Sequence, residues 1–253
     1  MRELCLLLVL LSLLGGSVAA QPASPPLTVY AAADLAFAFK EIVPLFEKAN
    51  GSRVTVVLGS TGNLAKQIEH GAPADVFFAA DMSFVQDLQS KGIIISESRA
   101  LYAQGRLVLA TSKKAGLKLG DLKELLRPEV RRIAIANPDH APYGRAAKEA
   151  LESLSLWGRL RPKLVYGENI RHTLQFVEAG AVEAGIVALA VANVPDVTYV
   201  LIDPGLHRPL NQMAAVVKRS LRPEVGLAFL HFVNGSEGRL IMKRYGFLLP
   251  GEF

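Results

Sequence analysis

The strongest constraint on this chain is a regular alternation of short apolar runs with longer amphipathic segments. The short runs are rich in Val, Ile, Leu and Ala, which is typical of strands that are buried on both faces of a sheet. The longer segments repeat apolar residues at helical spacing, as Phe39, Ile42 and Phe46 do in the first of them. Because strands alternate with helices, the pattern predicts an α/β fold with mostly parallel sheets.

Individual elements can be assigned along the alternating region. The predicted strands are 27–31, 54–58, 76–79, 106–110, 132–136, 164–166, 185–188, 199–202 and 213–217. The predicted helices are 35–50, 64–70, 84–91, 120–126, 144–154, 171–179, 223–234 and 237–245. Within the first helix, Pro44 lacks a backbone N–H, and we expect it to kink or break the helix.

The alternating region contains no Pro-, Gly- or Ser-rich linker, so a division into two lobes would have to run through ordered strands. The best crossing points are 104–109 and 211–216. They predict one discontinuous lobe, formed by 27–106 and 214–253, and a second lobe formed by 107–213. One large doubly wound sheet is the alternative, because composition does not distinguish the two arrangements.

Residues 1–20 have the features of a secretory signal peptide. Arg2 supplies a positive charge, an apolar run follows at 4–14, and small residues precede a cleavage site near Ala20. The apolar run is too short to span a bilayer, and an uncleaved anchor is the alternative. Cys5 is the only cysteine, so the mature chain has neither disulfides nor a thiolate metal site. We therefore expect a soluble periplasmic protein.

The charge distribution argues against a nucleic-acid partner. The formal net charge is +5, and Lys and Arg are scattered, without a basic stripe interleaved with aromatic residues. The five histidines show no metal-ligand spacing. A mild positive charge would help a small anion to approach. We expect a monomer that carries no cofactor.

Four turns share one local pattern, in which a strand ends, small or turn-forming residues follow, and a helix begins. The first backbone N–H groups of such a helix have no intrahelical partners and, with the positive end of the helix dipole, can bind an anion. In an open α/β sheet, ligands bind outside the carboxyl ends of the strands. Each turn alone is most simply a helix cap, but together they could enclose one anion. The turns are 30–35, 59–64, 137–144 and 167–170.

Several longer stretches resemble the periplasmic molybdate-binding proteins of ABC importers over nearly the whole mature length. The matching stretches are TVYAAADL, NLAKQIEHGAPADVFFAAD, NPDHAPYGRAAKEAL, GENIR, EAGIV and KRYGF. The resemblance implies the two-lobed periplasmic-binding-protein fold, in which each lobe has a mostly parallel sheet flanked by helices. It also implies two crossover strands between the lobes, closure around molybdate or tungstate, and delivery to a membrane permease.

Carried over position by position, the ligand contacts implied by this resemblance fall on Asp34, Thr61, Tyr143, Ile170 and Ala188. In the familiar bacterial members, the first two positions are serines and the fifth is a tyrosine that donates its hydroxyl. Thr61 keeps a hydroxyl, whereas Asp34 and Ala188 depart from the pattern. The third and fourth positions act through backbone N–H groups, so Tyr143 and Ile170 fit them. One hypothesis is that the Tyr143 hydroxyl replaces the one that Ala188 lacks.

Asp34 is the main departure, because a carboxylate beside a dianion is repulsive. Three accounts are open. Asp34 could cap its helix, with its side chain turned away from the anion. It could bind the molybdenum or tungsten centre directly, as carboxylates do in archaeal relatives. It could also accept a proton from the ligand, which would favour a protonated oxyanion such as hydrogen phosphate.

Two other functions compete with the capture of molybdate or tungstate. The first is binding of a different ligand, such as phosphate, a phosphonate, sulfate or an organic carboxylate. The second is an enzyme on the same fold, since fold does not determine function. Asp34 and His140 are the only acid–base pair that we can nominate for such a hydrolase, and Ser60 has no recognisable His or Asp partner. We therefore predict a non-catalytic receptor.

Overall fold

The computed structural model describes residues 25–253, so the predicted signal peptide at 1–20 lies outside the described residues. The strands are β1 (Leu27–Ala32), β2 (Val54–Gly59), β3 (Val76–Ala79), β4 (Ala100–Gly105), β5 (Leu107–Ser112), β6 (Ile133–Ala136), β7 (Leu164–Gly167), β8 (Ala184–Ala188), β9 (Val197–Leu201) and β10 (Leu210–Val216). The α-helices are α1 (Ala36–Asn50), α2 (Thr61–Glu69), α3 (Met82–Ser90), α4 (Pro142–Ser153), α5 (Trp157–Leu160), α6 (Ile170–Glu178), α7 (Leu189–Ala192), α8 (Pro223–Asn234) and α9 (Ser236–Arg244). Between 25 and 253, no helix combines the length and the apolar character needed to cross a membrane.

The strands form two five-stranded sheets with related topologies. The first sheet has the order β2-β1-β3-β10-β4, and the second has the order β7-β6-β8-β5-β9. In the first, β1 is parallel to β2 and β3, while β10 is antiparallel to β3 and β4. In the second, β6 is parallel to β7 and β8, while β5 is antiparallel to β8 and β9. One strand therefore runs against the others in each sheet, which confirms the predicted α/β class with mostly parallel sheets.

The chain passes between the two sheets twice. It leaves the first sheet at the end of β4 and enters β5 directly through Arg106. It returns after β9, and all of β10 pairs within the first sheet. The Arg106 side chain donates a hydrogen bond to the Gly246 carbonyl at 2.8 Å, and its carbonyl accepts one from the Leu189 N–H. The pairing of the strands shows which sheet each strand belongs to, but it does not show where one lobe ends and the other begins. The lobe boundaries at 106/107 and 213/214 therefore stay a prediction.

Each sheet has a buried core of different chemistry. Around the first sheet, Phe39, Phe46, Phe78 and Phe229 contact one another edge to face, with ring centroids between 5.0 and 5.7 Å apart. Such pairs add stabilisation beyond the area that they bury. Around the second sheet, the core is mainly Ala, Val, Ile and Leu, and strand β6 is fully buried.

Three local predictions differ from the structure. Strand β4 was not predicted, because its sequence, ALYAQG, lacks a continuous apolar run. The predicted helix at 120–126 is a 3₁₀ helix at Leu122–Leu126, in which Leu122 and Leu125 are buried at a spacing of three residues. Helix α1 continues through Pro44, so the predicted break does not occur, whereas the predicted kink stays a prediction. Pro44 is exposed, so water can satisfy the carbonyl that loses its helical partner.

Candidate functional site

A small cavity lies where turns from the two sheets meet. It is narrow and partly open to solvent. The first sheet contributes the residues that follow β1, β2 and β3, and the second contributes those that follow β6 and β7. The lining residues are 32–34, 59–61, Ala80, 141–143 and Ile170. All four predicted turns therefore reach one cavity at the carboxyl ends of the strands.

Three helices begin at this cavity with incomplete caps. Ser60 and Ala141, the N-cap residues of α2 and α4, make no side-chain capping hydrogen bond. Asn169 caps α6 by accepting from the N–H groups of Arg171 and His172, which leaves the Ile170 N–H outside that cap. Backbone N–H groups at such positions can receive an anion without any charged side chain.

Asp34 is the one carboxylate in the lining, and it is fully buried. Its Oδ2 accepts hydrogen bonds from the Tyr143 hydroxyl at 2.9 Å and from the Gln212 amide at 2.7 Å. The same amide donates to the Tyr143 oxygen at 3.1 Å. Asp34 Oδ1 has no hydrogen-bond partner. We call Asp34, Tyr143 and Gln212 the buried triad. It joins α4 of the second-sheet side to the turn after β1 and to β10 of the first sheet.

The Asp34 carboxyl makes no capping hydrogen bond of good geometry, and the first of the three accounts above stays a hypothesis. It lies in a 3₁₀ turn, Ala33–Leu35, and neither this turn nor α1 has a side-chain cap. The loss of hydration on burial raises the pKa of Asp34 to about 6. Hydrogen bonds from Gln212 and Tyr143, and weaker ones from the backbone N–H groups of Asp34 and Leu35, lower that pKa only in part. Burial, followed by the nearby Asp34 charge, also raises the pKa of Tyr143 well above 10.

Gln212 and Gly105 belong to this arrangement but were not predicted as site residues. A Cβ atom on Gly105 would collide with the Tyr143 hydroxyl and the Gln212 amide, so only glycine leaves room for the triad. The sequence signal for Gln212 is a pair of polar residues, Asn211 and Gln212, near the start of a strand that is apolar after them, LNQMAAV. A fully buried amide in such a strand needs polar partners, and Asp34 and Tyr143 provide them.

The hydroxyls of the second turn have different partners. Thr61 Oγ1 accepts a hydrogen bond from the Ala80 N–H at 3.1 Å, so its own hydrogen stays available for another acceptor. Ser60 Oγ lies 2.7 Å from His140 Nδ1, on the opposite side of the cavity. Beside this pair, the Gly62 N–H donates to the His140 carbonyl at 2.9 Å. The two sides of the cavity are therefore in direct contact.

The contact between Ser60 and His140 corrects the sequence-based statement that Ser60 has no recognisable histidine partner. It does not complete a nucleophilic triad, because His140 has no hydrogen-bonded carboxylate within residues 25–253. Asp34, the acid nominated with His140, bonds to Tyr143 and Gln212 instead. Over the same range, no group of three or more His, Cys, Asp or Glu side chains could hold a metal ion.

Comparison with known proteins identifies the family. The sequence model of a protein family described as bacterial extracellular solute-binding protein matches residues 27–248. The chain belongs to this family. The molybdate-binding protein of Rhodobacter capsulatus is 32% identical over 210 residues, which cover 83% of this chain and 82% of that protein. The molybdate-binding protein of Azotobacter vinelandii is 32% identical over 244 residues, 92% of this chain and 93% of that protein.

Solved structures agree with this assignment. The periplasmic molybdate-binding protein of Azotobacter vinelandii superposes with a TM-score of 0.83 at 31% identity, covering 88% of this chain and 99% of that one. A sulfate-binding protein of Mycobacterium tuberculosis superposes with a TM-score of 0.76 at 15% identity, which shows the fold alone. The family resemblance and the two-lobed fold predicted from the sequence are both confirmed.

In this solute-binding protein, four of the five predicted ligand positions meet at the cavity. Asp34 and Thr61 line it from the first-sheet side, and Tyr143 and Ile170 line it from the second-sheet side. Ala188 is not among the lining residues. It ends β8, where it is buried and paired with Leu107 of β5.

The cleft of this solute-binding protein is flanked by two arginines of the second-sheet side that lie over aromatic rings of the first-sheet side. The Arg145 guanidinium lies 4.9 Å from the ring centre of Phe84, and that of Arg171 lies 5.0 Å from the ring centre of Phe37. Arg145 also pairs with Asp81 at 3.4 Å. We call these contacts the rim pairs. They are partly exposed, unlike the buried triad.

Proposed function

We propose that this protein captures molybdate or tungstate in the cavity between its two lobes and delivers it to the permease of an ABC importer. The observation that carries the proposal is the meeting of four strand-to-helix turns, from two sheets, at one small cavity. Unpaired N–H groups at helix starts bind tetrahedral oxyanions well. The similarity to molybdate-binding proteins supports this class of ligand.

The five predicted ligand positions differ in their proposed roles. The backbone N–H groups of Tyr143 and Ile170 would donate to the oxyanion from the second-sheet side. The Thr61 hydroxyl would donate from the first-sheet side, because it already accepts from Ala80 and keeps its own hydrogen. Asp34 would lie beside the ligand. The side chain of Ala188 offers no donor, and we assign it no direct contact.

The proposed mechanism is binding and closure without a chemical step. A ligand that contacts turns from both sides stabilises the arrangement in which those sides touch. The contacts of His140 with Ser60 and Gly62 would form as the lobes close. The permease would then recognise the closed shape. We propose that the protein acts as a monomer in the periplasm, after removal of residues 1–20.

A thermal-shift screen tests the proposal. We expect molybdate and tungstate to raise the melting temperature, since a ligand that binds only the native state stabilises it. Sulfate, phosphate and chromate serve as comparison anions. If phosphate or sulfate alone gives the shift, the protein is a receptor for a different oxyanion. If no anion shifts the melting temperature, the proposal is wrong.

A variant of the Ile170 backbone gives a sharper test of the proposed donors. Ile170 is the first residue of α6, where proline is well tolerated, and the preceding Asn169 has the extended conformation that proline favours. Ile170→Pro removes the N–H while α6 should still form, and Ile170→Ala keeps the N–H while it loses the same side chain. We expect Ile170→Pro to bind molybdate at least tenfold more weakly than Ile170→Ala. Equal affinities would remove Ile170 from the site.

A further inference from the structure

The buried triad contains a negative group with no positive partner. Asp34 is fully buried, and both donors to its Oδ2, Tyr143 and Gln212, are neutral. Its second oxygen, Oδ1, is also buried and accepts no hydrogen bond of good geometry, and the backbone N–H groups of Asp34 and Leu35 interact only weakly with the carboxyl. A buried carboxylate that lacks both a cation and a complete set of donors is strongly disfavoured in its ionised form.

The elements packed against the turn that holds Asp34 do not supply a cation for it. These elements are α1, α6 and α7, together with α4 and β10, which carry Tyr143 and Gln212. On α4, Arg145 pairs with Asp81 instead of Asp34. On α6, the Arg171 guanidinium bonds to Glu178 at 2.6 Å and lies over Phe37. Helix α7 has no titratable residue.

On α1, Lys40 lies over the Phe37 ring, and Glu41 bonds to Tyr245 and Arg244. The remaining titratable groups near Asp34 are Tyr143 and Tyr102, and burial, with the nearby Asp34 charge, raises the pKa of both well above 10. No positive group therefore offsets the carboxylate.

An oxyanion in the cavity would disfavour the ionised form of Asp34 still further. Asp34 lines the same cavity as the helix starts that would bind the ligand. An ionised carboxylate and a dianion in contact repel each other, and a site with little water screens them weakly. A single hydrogen placed between them changes the repulsion into a hydrogen bond, and Oδ1 is the free oxygen that could take part in it.

We propose that this protein binds its oxyanion together with one proton, which is held between a ligand oxygen and the Asp34 carboxyl. The proposal rests on the function proposed above. One dianion and one proton enter the site and no covalent bond breaks, whether the proton comes from solvent through Asp34 or arrives on the ligand. Oδ2 keeps its two donors, Tyr143 and Gln212, while Oδ1 shares the proton. Asp34 is thereby a specificity-determining residue that favours anions able to share a proton.

The direction of the Asp34 pKa agrees with this geometry. Burial raises that pKa to about 6 before any ligand is considered, and a neighbouring dianion raises it further. Above about pH 6, the free protein is increasingly ionised at Asp34, so each binding event must take up a proton. The affinity for the ligand should then fall by up to about tenfold for each further pH unit.

The test compares the full mature protein with its Asp34→Asn variant. Asn has nearly the same shape, and its amide can donate to the anion as a protonated carboxyl would. We measure the affinity for molybdate by titration calorimetry at pH values of about 6, 7 and 8. From the lowest to the highest pH, we expect the affinity of the wild-type protein to fall by about 30- to 100-fold relative to that of the variant. The ligand is the same in both titrations, so its own protonation cancels in this ratio.

A second measurement uses the wild-type protein alone. Calorimetry at about pH 7.5 in two buffers of different ionisation enthalpy reports the number of protons taken up. We expect about one proton for the wild-type protein and nearly none for Asp34→Asn. If the Asp34→Asn variant does not fold, Asp34→Ser serves as the variant for the same comparison, because serine also lacks the carboxyl.

The outcomes separate this inference from the proposed function. Molybdate binding without proton uptake, or with the same pH dependence in both proteins, overturns the shared proton and leaves the receptor function intact. No binding of any oxyanion by the wild-type protein overturns both. Proton uptake that persists in Asp34→Asn assigns the proton to another group and also overturns the inference.

Discussion

The two sides of the cleft are joined by two kinds of contact, the buried triad at the centre and the rim pairs at the edge. Both link the second-sheet side to the first-sheet side through polar groups. In the triad, Asp34 is fully buried and has only neutral donors. At the rim, Arg145 keeps 35% of its side chain exposed and has both an anion and an aromatic ring as partners.

This difference in solvation should decide how each contact responds to change. Water and salt screen an exposed ion pair. Its contribution to stability is therefore small and depends little on where the pair lies. A buried carboxylate has no such screening, so its charge state affects stability and binding strongly. The comparison predicts that the buried triad determines how binding and stability depend on pH. The rim pairs should only help to stabilise the closed arrangement.

The largest effect is expected where a side chain would enter the triad. Gly105→Ala places a methyl group against the Tyr143 hydroxyl and the Gln212 amide. We expect a loss of about 3 kcal/mol in the free energy of unfolding, the upper range for overpacking of a buried site. Denaturant titration measures it. The control is Gly158→Ala, where a Cβ would meet nothing within 4 Å. Similar losses in the two variants would contradict the role of Gly105.

Removing the charge of Asp34 should stabilise the protein, and the size of this effect should depend on pH. The pKa of Asp34 is about 6 in the folded chain, against an ordinary value of 3.8. The folded state therefore binds the proton more tightly, and stability falls as the pH rises from about 4 to about 6. The shift corresponds to about 3 kcal/mol, which the unpaired Asn amide offsets by about 1 kcal/mol.

We therefore expect Asp34→Asn to raise the free energy of unfolding by about 2 kcal/mol at about pH 8 and to lower it by up to about 1 kcal/mol at about pH 4, where the Asp34 carboxyl is protonated and only the cost of the unpaired amide remains. Denaturant titrations at the two pH values measure the change. A gain of the same size at both would contradict the assignment of the charge to Asp34.

Removing one donor from the triad should have a smaller effect of opposite sign. Tyr143→Phe deletes its hydrogen bond to Asp34 and the one that it accepts from Gln212, and leaves the bond from Gln212 to Asp34. A hydrogen bond to a charged group contributes about 1.5 kcal/mol or more, so we expect a loss near that value at pH 8 and a smaller one near pH 4. The variant should also bind molybdate measurably more weakly.

The control for Tyr143→Phe is Tyr102→Phe. The Tyr102 hydroxyl donates to the Ala79 carbonyl at 3.2 Å, so its loss should not vary with pH. If the two variants respond to pH in the same way, the Tyr143 hydroxyl does not act on the charge of Asp34.

The smallest effect is expected at the rim. Arg145→Gln removes the contacts with Phe84 and Asp81, and we expect a loss of about 0.5 to 1 kcal/mol in the ligand-stabilised state. This loss should shrink in high salt and stay constant between about pH 6 and pH 8. Arg145→Lys keeps the charge and should lose less. If the effect of Arg145→Gln depended strongly on pH, the rim pairs would not differ from the buried triad in the way that we predict.

Local sequence patterns were sufficient for the class of fold and for the position of the turns. Strand and helix periods depend on neighbours a few residues away, so the alternation and the strand-to-helix turns can be recognised without tertiary information. Matching stretches such as QIEHGAPAD and KRYGF also identified the family. Strand β4 was not predicted because its buried positions are mixed with polar ones. It can be recognised as a strand only from its pairing with β10.

The partners of Asp34 could not be read from the sequence, because they depend on how distant segments come together. Gln212 lies 178 positions further along the chain, and Tyr143 lies 109 positions further along. Nothing near Asp34 in the sequence distinguishes a helix cap from a buried, unpaired carboxylate, since both begin as an acidic residue after a strand. The contact of Ser60 with His140 and the exclusion of Ala188 from the cavity have the same origin. The sequence alone determined the elements and the family, whereas only the packing of the two sides against each other decided which groups share the cavity.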